Sequence, residues 1–195
     1  MRTISKTPFA ILLSAVFAVN LSSTCLAKGT TGKRSLPAAE FNHRHARAVR
    51  AYVMNGLLGE FFTSAMSEIG DKLLARGVIA RVGSWTQQDS FVADACAHSH
   101  DRIVFIGHSM GAVAAAGAVA QAKACGVRQV SMVGIDPPNI GAAVPSGVHA
   151  VNFVGALNAS ITGAQNVPVS GLGHIQIVND PTMQKRIVAA ALRRA

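Results

Sequence analysis

The chain has 195 residues, half of them hydrophobic and 14% charged, which is the size and composition of one globular domain and excludes a disordered or fibrous chain. Eighteen Lys and Arg against nine Asp and Glu give a formal charge of +9, which favours anionic surfaces or substrates. Aromatic residues make up only 5% of the chain and are not interleaved with a basic stripe, which argues against a nucleic-acid partner.

The first 27 residues have the three parts of a secretory signal. Arg2 and Lys6 supply positive charge, residues 11–21 form an apolar run, and residues 22–27 are small or polar up to the expected cleavage site. The apolar run is shorter than the roughly 20 residues that cross a bilayer. We therefore expect removal of the signal, no stable membrane insertion afterwards, and a secreted or periplasmic location. A retained anchor and a lipid-modified Cys25 are the weaker alternatives.

Residues 28–47 are basic and lack apolar periodicity, which predicts a flexible lead-in to a domain at 48–195. After removal of the signal, Cys96 and Cys125 are the two thiols that remain. In an oxidising compartment such a pair can form one disulfide. Two buried free thiols are the alternative, and the sequence leaves both open.

Short apolar runs alternate with helix-length segments along the predicted domain. The predicted strands are 51–54, 78–82, 102–106, 130–135, 148–154 and 166–169, and the predicted helices are 60–76, 87–97, 112–124 and one that begins at Asp180 and Pro181. Parallel strands need crossover connections, and right-handed crossovers cover both faces of a sheet. The alternation therefore predicts an α/β fold, a three-layer sandwich with a mostly parallel sheet of about six strands.

The sequence Gly-His-Ser-Met-Gly at 107–111 joins the predicted strand 102–106 to the predicted helix 112–124. The G-x-S-x-G pattern is weak by itself, but a strand-turn-helix setting is the one that its chemistry needs. The two glycines allow a sharp turn from which Ser109 projects at the carboxyl end of the strand. The N-terminus of the following helix offers free N–H groups to a developing oxyanion. Ser109 is therefore the candidate nucleophile.

A serine hydroxyl needs a base to accept its proton, and His174 is the best candidate because it lies in a glycine-flanked loop between the last strand and the last helix. His108 is the variable residue of the G-x-S-x-G pattern. The Cys-x-His-x-His pattern at 96–100 resembles a metal site, but no second cluster completes four ligands. No G-x-G-x-x-G sequence opens the first helix. We therefore predict neither a metal nor a cofactor.

A carboxylate must hold the imidazole of the base in the right tautomer. Asp136 ends the predicted strand 130–135 and keeps the chain order Ser, Asp, His. Asp180 follows His174 by six residues and is better explained as a helix cap. Asp136 is therefore the candidate orienting acid.

From residue 51 onward the chain resembles the α/β-hydrolase family. In its short length it is most similar to the small lidless bacterial lipases and esterases and to the cutinases. The resemblance implies a minimal α/β-hydrolase fold and assigns the oxyanion amides to Leu57 and Met110. Asn55 stands where the family has His. Most of the family carries its acid one strand later, where this chain has Asn158. Asn158 is thus the alternative to Asp136.

These residues lead us to expect an exported serine hydrolase that cleaves carboxylic esters, or thioesters, through an acyl-enzyme on Ser109. The substrate is expected to be a small-molecule or lipid-like ester, with Leu57, Phe61 and Met110 lining an open acyl pocket. Trp85 either lines this pocket or anchors the core, and the sequence leaves both open. A non-catalytic α/β-hydrolase-like binding domain is the alternative. The sequence does not indicate an oligomeric state.

Overall fold

A computed structural model of the chain describes residues 47–57 and 64–193. The signal predicted at 1–27 and Phe61 lie outside these residues, and so does all but the last residue of the lead-in predicted at 28–47. The export signal, the lead-in and the domain boundary at residue 48 therefore stay predictions.

Strands and helices alternate along the described residues. The strands are β1 (Val49–Asn55), β2 (Ile79–Ser84), β3 (Arg102–His108), β4 (Gln129–Ile135), β5 (His149–Val154) and β6 (Gln165–Pro168). The helices are α1 (Ala65–Leu74), α2 (Gln88–Ala97), α3 (Met110–Ala124), α4 (Gln176–Asn179) and α5 (Pro181–Leu192), with a 3₁₀ turn at Trp85–Gln87. Each predicted strand and helix has a counterpart in the described ranges, although residues 60–63 of the first predicted helix lie outside them. The short α4 was not predicted.

The six strands form one sheet in the order β2-β1-β3-β4-β5-β6, and each neighbouring pair is parallel. The chain therefore reverses its direction of travel across the sheet between β1 and β3. In open parallel sheets such a reversal leaves a crevice at the carboxyl ends of the strands, where ligands bind. The loops after β1 and β3 lie side by side at this point.

Helices cover both faces of the sheet. Alternate side chains of each strand point to opposite faces, so that both faces present apolar side chains to be buried. Tyr52 and Met54 belong to a buried cluster with residues of α2 and α3. Ala51 and Val53 belong to a second cluster with residues of α1 and α5. The prediction of a three-layer α/β sandwich with a parallel six-stranded sheet is confirmed. No helix in the described ranges is long and apolar enough to cross a membrane.

Cys96 at the end of α2 and Cys125 after α3 form a disulfide with a Cα–Cα distance of 5.9 Å. The bond joins two helices on the same face of the sheet. Because the two cysteines are bonded, the alternative of two free thiols is wrong. The bond also removes Cys96 from the pattern at 96–100 as a metal ligand. In that pattern, Nδ1 of His98 lies 2.8 Å from the carbonyl oxygen of Asp94. Within the described residues, no group of three or more His, Cys, Asp or Glu side chains is placed to hold a metal ion.

Replacing Cys96 and Cys125 together by Ala is expected to lower the free energy of unfolding. The two residues are 29 positions apart, and cross-links that close loops of this length stabilise proteins by about 3 to 4 kcal/mol, largely by restricting the unfolded chain. Urea unfolding measures the difference. Dithiothreitol should destabilise the natural protein but leave the double variant unchanged. Equal stability of the natural protein and the double variant in the absence of dithiothreitol would contradict the expectation.

Candidate active site

Ser109 occupies the turn between β3 and α3 with φ 57° and ψ −125°, a conformation that side-chain-bearing residues rarely adopt. Its amide donates to the carbonyl of Ile135 at 2.9 Å, and its own carbonyl accepts from the amide of Ala112 at 2.9 Å. The hydroxyl makes no capping bond to α3. The backbone is thus fixed on both sides while the hydroxyl is left out of the helix cap.

The two glycines of the G-x-S-x-G pattern are required by the closeness of α3 to the sheet. A Cβ on Gly107 would overlap the carbonyl of Gly111, and a Cβ on Gly111 would overlap the carbonyl of Met54. The start of α3 therefore packs directly on the backbones of β3 and β1. This packing gives the physical reason for both glycines around Ser109.

Asp136 follows β4 directly and is completely buried. Its Oδ2 lies 2.7 Å from Nδ1 of His174. Its Oδ1 accepts from the amides of Gly155 at 2.9 Å and Leu157 at 3.0 Å. Two backbone donors and one imidazole thus satisfy the buried carboxylate, which would otherwise be costly to remove from water.

Asn158 lies in the same loop but takes a different part in it. It is exposed, has φ 49°, and its amide donates to the carbonyl of Gly155 at 3.1 Å. Asn158 thus belongs to the turn that presents the amides of Gly155 and Leu157 to Asp136. Of the two alternatives for the orienting residue, Asp136 is the one in contact with His174.

Asp180, by contrast, caps α5, because its Oδ1 accepts from the amide of Met183 at 2.8 Å.

His108 contacts His174, which the sequence did not indicate. Nε2 of His108 lies 3.0 Å from the carbonyl oxygen of His174, and the centroids of the two rings are 4.5 Å apart. Burial, and secondly the neighbouring His174, lower the pKa of His108 to about 4. The G-x-S-x-G pattern treats this position as variable, so no sequence signal pointed to it.

Gly56 brings the loop after β1 against Ser109. A Cβ on Gly56 would lie 2.6 Å from Cβ and 3.2 Å from Oγ of Ser109. Leu57 is the next residue, and Met110 is the first residue of α3. Both residues predicted to supply oxyanion amides thus flank Ser109 in the structure. Asn55, before Gly56, is buried, and its Oδ1 has no hydrogen-bond partner among the described residues.

Exposed aliphatic side chains occur in the segments that follow β1, β4, β5 and β6 at this edge of the sheet. Leu57, Ile140, Leu157 and Ile175 are 66, 59, 41 and 37% exposed. Leu57 directly follows Gly56, and Ile175 directly follows His174. The backbone amide of Leu157 donates to Asp136. Of the two positions expected for Trp85, the structure has the core position, because Trp85 packs partly buried against the cluster of α2 and α3. Leu57, Leu157 and Ile175 thus place exposed apolar surface next to residues of the candidate site.

A cavity of about 480 Å³ lies at the other edge of the sheet, where the strands begin, and Arg102, Lys123 and Arg128 contribute to its lining. Arg102 donates to the last carbonyls of α5, including that of Leu192 at 3.1 Å. Lys123 lies in the last turn of α3. Cations at helix C-termini offset the negative end of the helix dipole. Much of the basic character of this cavity is therefore structural, and the cavity is remote from His174.

Comparison with solved structures identifies proteins with the same architecture. A protein from Xanthomonas campestris pv. campestris, described as a hydrolase of the α/β superfamily, is 13% identical over 74% of this chain and 95% of its own, with a TM-score of 0.50. Human thioesterase 2 is 12% identical over 74% of this chain and 96% of its own, with a TM-score of 0.52. No protein-family model and no curated protein matches the sequence.

At these identities the likeness establishes the fold and not the reaction. The chain has the α/β-hydrolase fold, as its resemblance to that family predicted. Within this fold, the strained Ser109 and the Asp136–His174 pair lie at the carboxyl edge of the sheet.

Replacing Gly111 by Ala should destabilise the protein by about 2 kcal/mol, because the added methyl group overlaps the carbonyl of Met54 and a packed interior cannot yield without strain. Gly117→Ala in the same helix is the matched control. Its Cβ would meet only the flexible end of Gln88, at 3.0 Å, and Ala in a helix interior is better than Gly by roughly 0.5 to 1 kcal/mol. Thermal unfolding compares the two variants, and equal melting temperatures would contradict the packing argument.

Proposed function

We propose that the protein is a serine hydrolase that cleaves carboxylic esters, or thioesters, through an acyl-enzyme on Ser109. The observation that supports this most is the hydrogen bond between the buried carboxylate of Asp136 and Nδ1 of His174, at the edge where Ser109 is held in a strained turn. A carboxylate on Nδ1 leaves Nε2 of the same ring to accept a proton.

In this proposal the Oγ of Ser109 attacks the substrate carbonyl carbon while Nε2 of His174 takes the hydroxyl proton. The backbone amides of Leu57 and Met110 donate to the negatively charged oxygen of the tetrahedral intermediate. Collapse of the intermediate expels the alcohol or thiol, which receives the proton from His174. Water then attacks the acyl-enzyme and gives its proton to His174. When the second tetrahedral intermediate collapses, the bond between the acyl carbon and Oγ breaks, His174 returns the proton to Oγ of Ser109, and the carboxylic acid leaves.

Asp136 does not exchange protons with the substrate. Its carboxylate keeps the proton of neutral His174 on Nδ1 and stabilises the imidazolium that forms in both halves of the reaction. Because Oδ1 is held by the amides of Gly155 and Leu157, Oδ2 remains directed at the ring. The carboxylate therefore needs no rearrangement during the reaction.

The exposed aliphatic side chains of Leu57, Leu157 and Ile175 next to the candidate site support a substrate with an aliphatic acyl group. The Cys96–Cys125 disulfide supports export, since such bonds persist in oxidising compartments. The thioesterase among the structural neighbours keeps thioesters in the proposal beside oxygen esters. A binding domain without catalysis is disfavoured by the presence of Ser109, His174 and Asp136 together.

Ser109→Ala is expected to abolish both hydrolysis of a short p-nitrophenyl ester and covalent labelling by a fluorophosphonate, because each reaction needs the hydroxyl. The loss is expected without a loss of stability, since the hydroxyl makes no capping bond in the fold. Absorbance and in-gel fluorescence measure the two reactions. Turnover retained at the natural rate by a folded Ser109→Ala protein would refute the proposal.

Asp136→Asn and Asn158→Ala separate the orienting acid from its neighbour. Loss of the carboxylate that holds the imidazole tautomer lowers turnover about 10⁴-fold in enzymes of this chemistry, so Asp136→Asn should lose about 10³- to 10⁴-fold. Asn158→Ala should lose far less, because Asn158 only shapes the turn next to Asp136. Steady-state kinetics on the same ester measures both, and the reverse order of effects would transfer the orienting role to Asn158.

A further inference from the structure

His108 links the strand that precedes Ser109 to the loop that carries His174. The side chain lies at the end of β3 and is only 3% exposed. It reaches across to a residue 66 positions later in the chain and contacts both the backbone carbonyl and the ring of that residue. This contact to His174 comes from the residue adjacent to the candidate nucleophile Ser109.

The contact requires one particular protonation state of His108. A carbonyl oxygen only accepts hydrogen bonds, so Nε2 of His108 must carry the proton that it donates to His174. The titratable groups that act on His108 are His174, which disfavours its charged form, and Asp136, which favours it. Burial is the largest influence and holds the pKa of His108 near 4. At neutral pH the ring is therefore uncharged, with its proton on Nε2.

A neutral ring at this position also suits the neighbouring group. The centroid of His174 lies 4.5 Å from that of His108, with the planes 31° apart. During the proposed reaction His174 becomes a cation twice, and a second cation at this distance would oppose that charge. Because burial keeps His108 uncharged, His108 does not repel the His174 cation that Asp136 stabilises.

The loop that carries His174 needs an anchor besides the carboxylate. It contains Gly171, at φ 80°, and Gly173, and glycines leave the backbone free to move. Asp136 fixes the ring of His174 through Nδ1, whereas His108 fixes the main chain of the same residue. The two contacts together restrict both the orientation of the ring and the position of its backbone.

We propose that His108 is a positioning residue that sets the distance between Ser109 and His174 by tying the His174 backbone to the end of β3. The inference rests on the proposed hydrolase function. His108 does not contact the substrate or carry a proton in the reaction. It acts through His174, and the hydrogen bond from Nε2 is the contact that matters.

His108→Gln and His108→Phe test the bond separately from the volume of the side chain. The amide nitrogen of Gln stands near the place of Nε2 and can donate to the carbonyl of His174, whereas Phe keeps the ring and loses the donor. We expect Phe to lower kcat by about 10- to 100-fold, since small displacements of reacting groups have effects of this size. KM should change little for either variant, and Gln should restore most of kcat. Equal kcat for Phe and the natural protein, or equal losses for Gln and Phe, would overturn the proposal.

Nitrogen-15 NMR of the full natural chain gives a readout that needs neither activity nor a variant. The His108 ring should be neutral with its proton on Nε2 at neutral pH, and should become charged only near pH 4. A proton on Nδ1 or a charged ring at neutral pH would overturn the proposal even if Phe failed to fold. If Ser109→Ala keeps full turnover, the hydrolase function fails instead, and the NMR result still reports on the His108 contact itself.

Discussion

The buried carboxylate of Asp136 is the group on which the rest of the site depends. A charge without exposed surface must be satisfied by donors inside the protein, and here the donors come from the loops after β5 and β6. The carboxylate itself follows β4. Three loops that are distant in the chain are thereby drawn to one point at the carboxyl edge of the sheet. The position of His174 is a consequence of this convergence and of its second tie to β3.

The fold was predictable because β1, β3, β4 and β5 are apolar runs bounded by polar or glycine-containing segments. The buried residues of β3 and β4 are nearly continuous, as the interior of a parallel sheet requires. The turn at Ser109 was predictable for a similarly local reason, since two glycines, a strand and a helix are adjacent in the chain. Information of this kind survives in a single sequence because it does not depend on distant residues.

Other features depended on how distant loops and helices meet. Whether Asp136 or Asn158 contacts His174 is decided by the turn whose two backbone amides donate to the Asp136 carboxylate. The composition of the sequence does not reveal this arrangement. The disulfide was undecided because only the packing of α2 beside α3 brings Cys96 to Cys125. His108 was overlooked because its partner is a backbone carbonyl, which every residue has, so no pattern of side chains marks it.

Ser109, Asp136 and Asn158 are the residues other than glycine that have positive φ in the described ranges, and all three follow strands at the same edge. Each such backbone costs free energy, of order 1 to 3 kcal/mol, that glycine would largely avoid. Selection for heat resistance alone would thus favour glycine at position 109 and remove the proposed nucleophile. Thermal stability and the proposed reactivity of Ser109 therefore compete at this turn. Laboratory evolution toward a more stable protein would have to find its stabilising substitutions elsewhere.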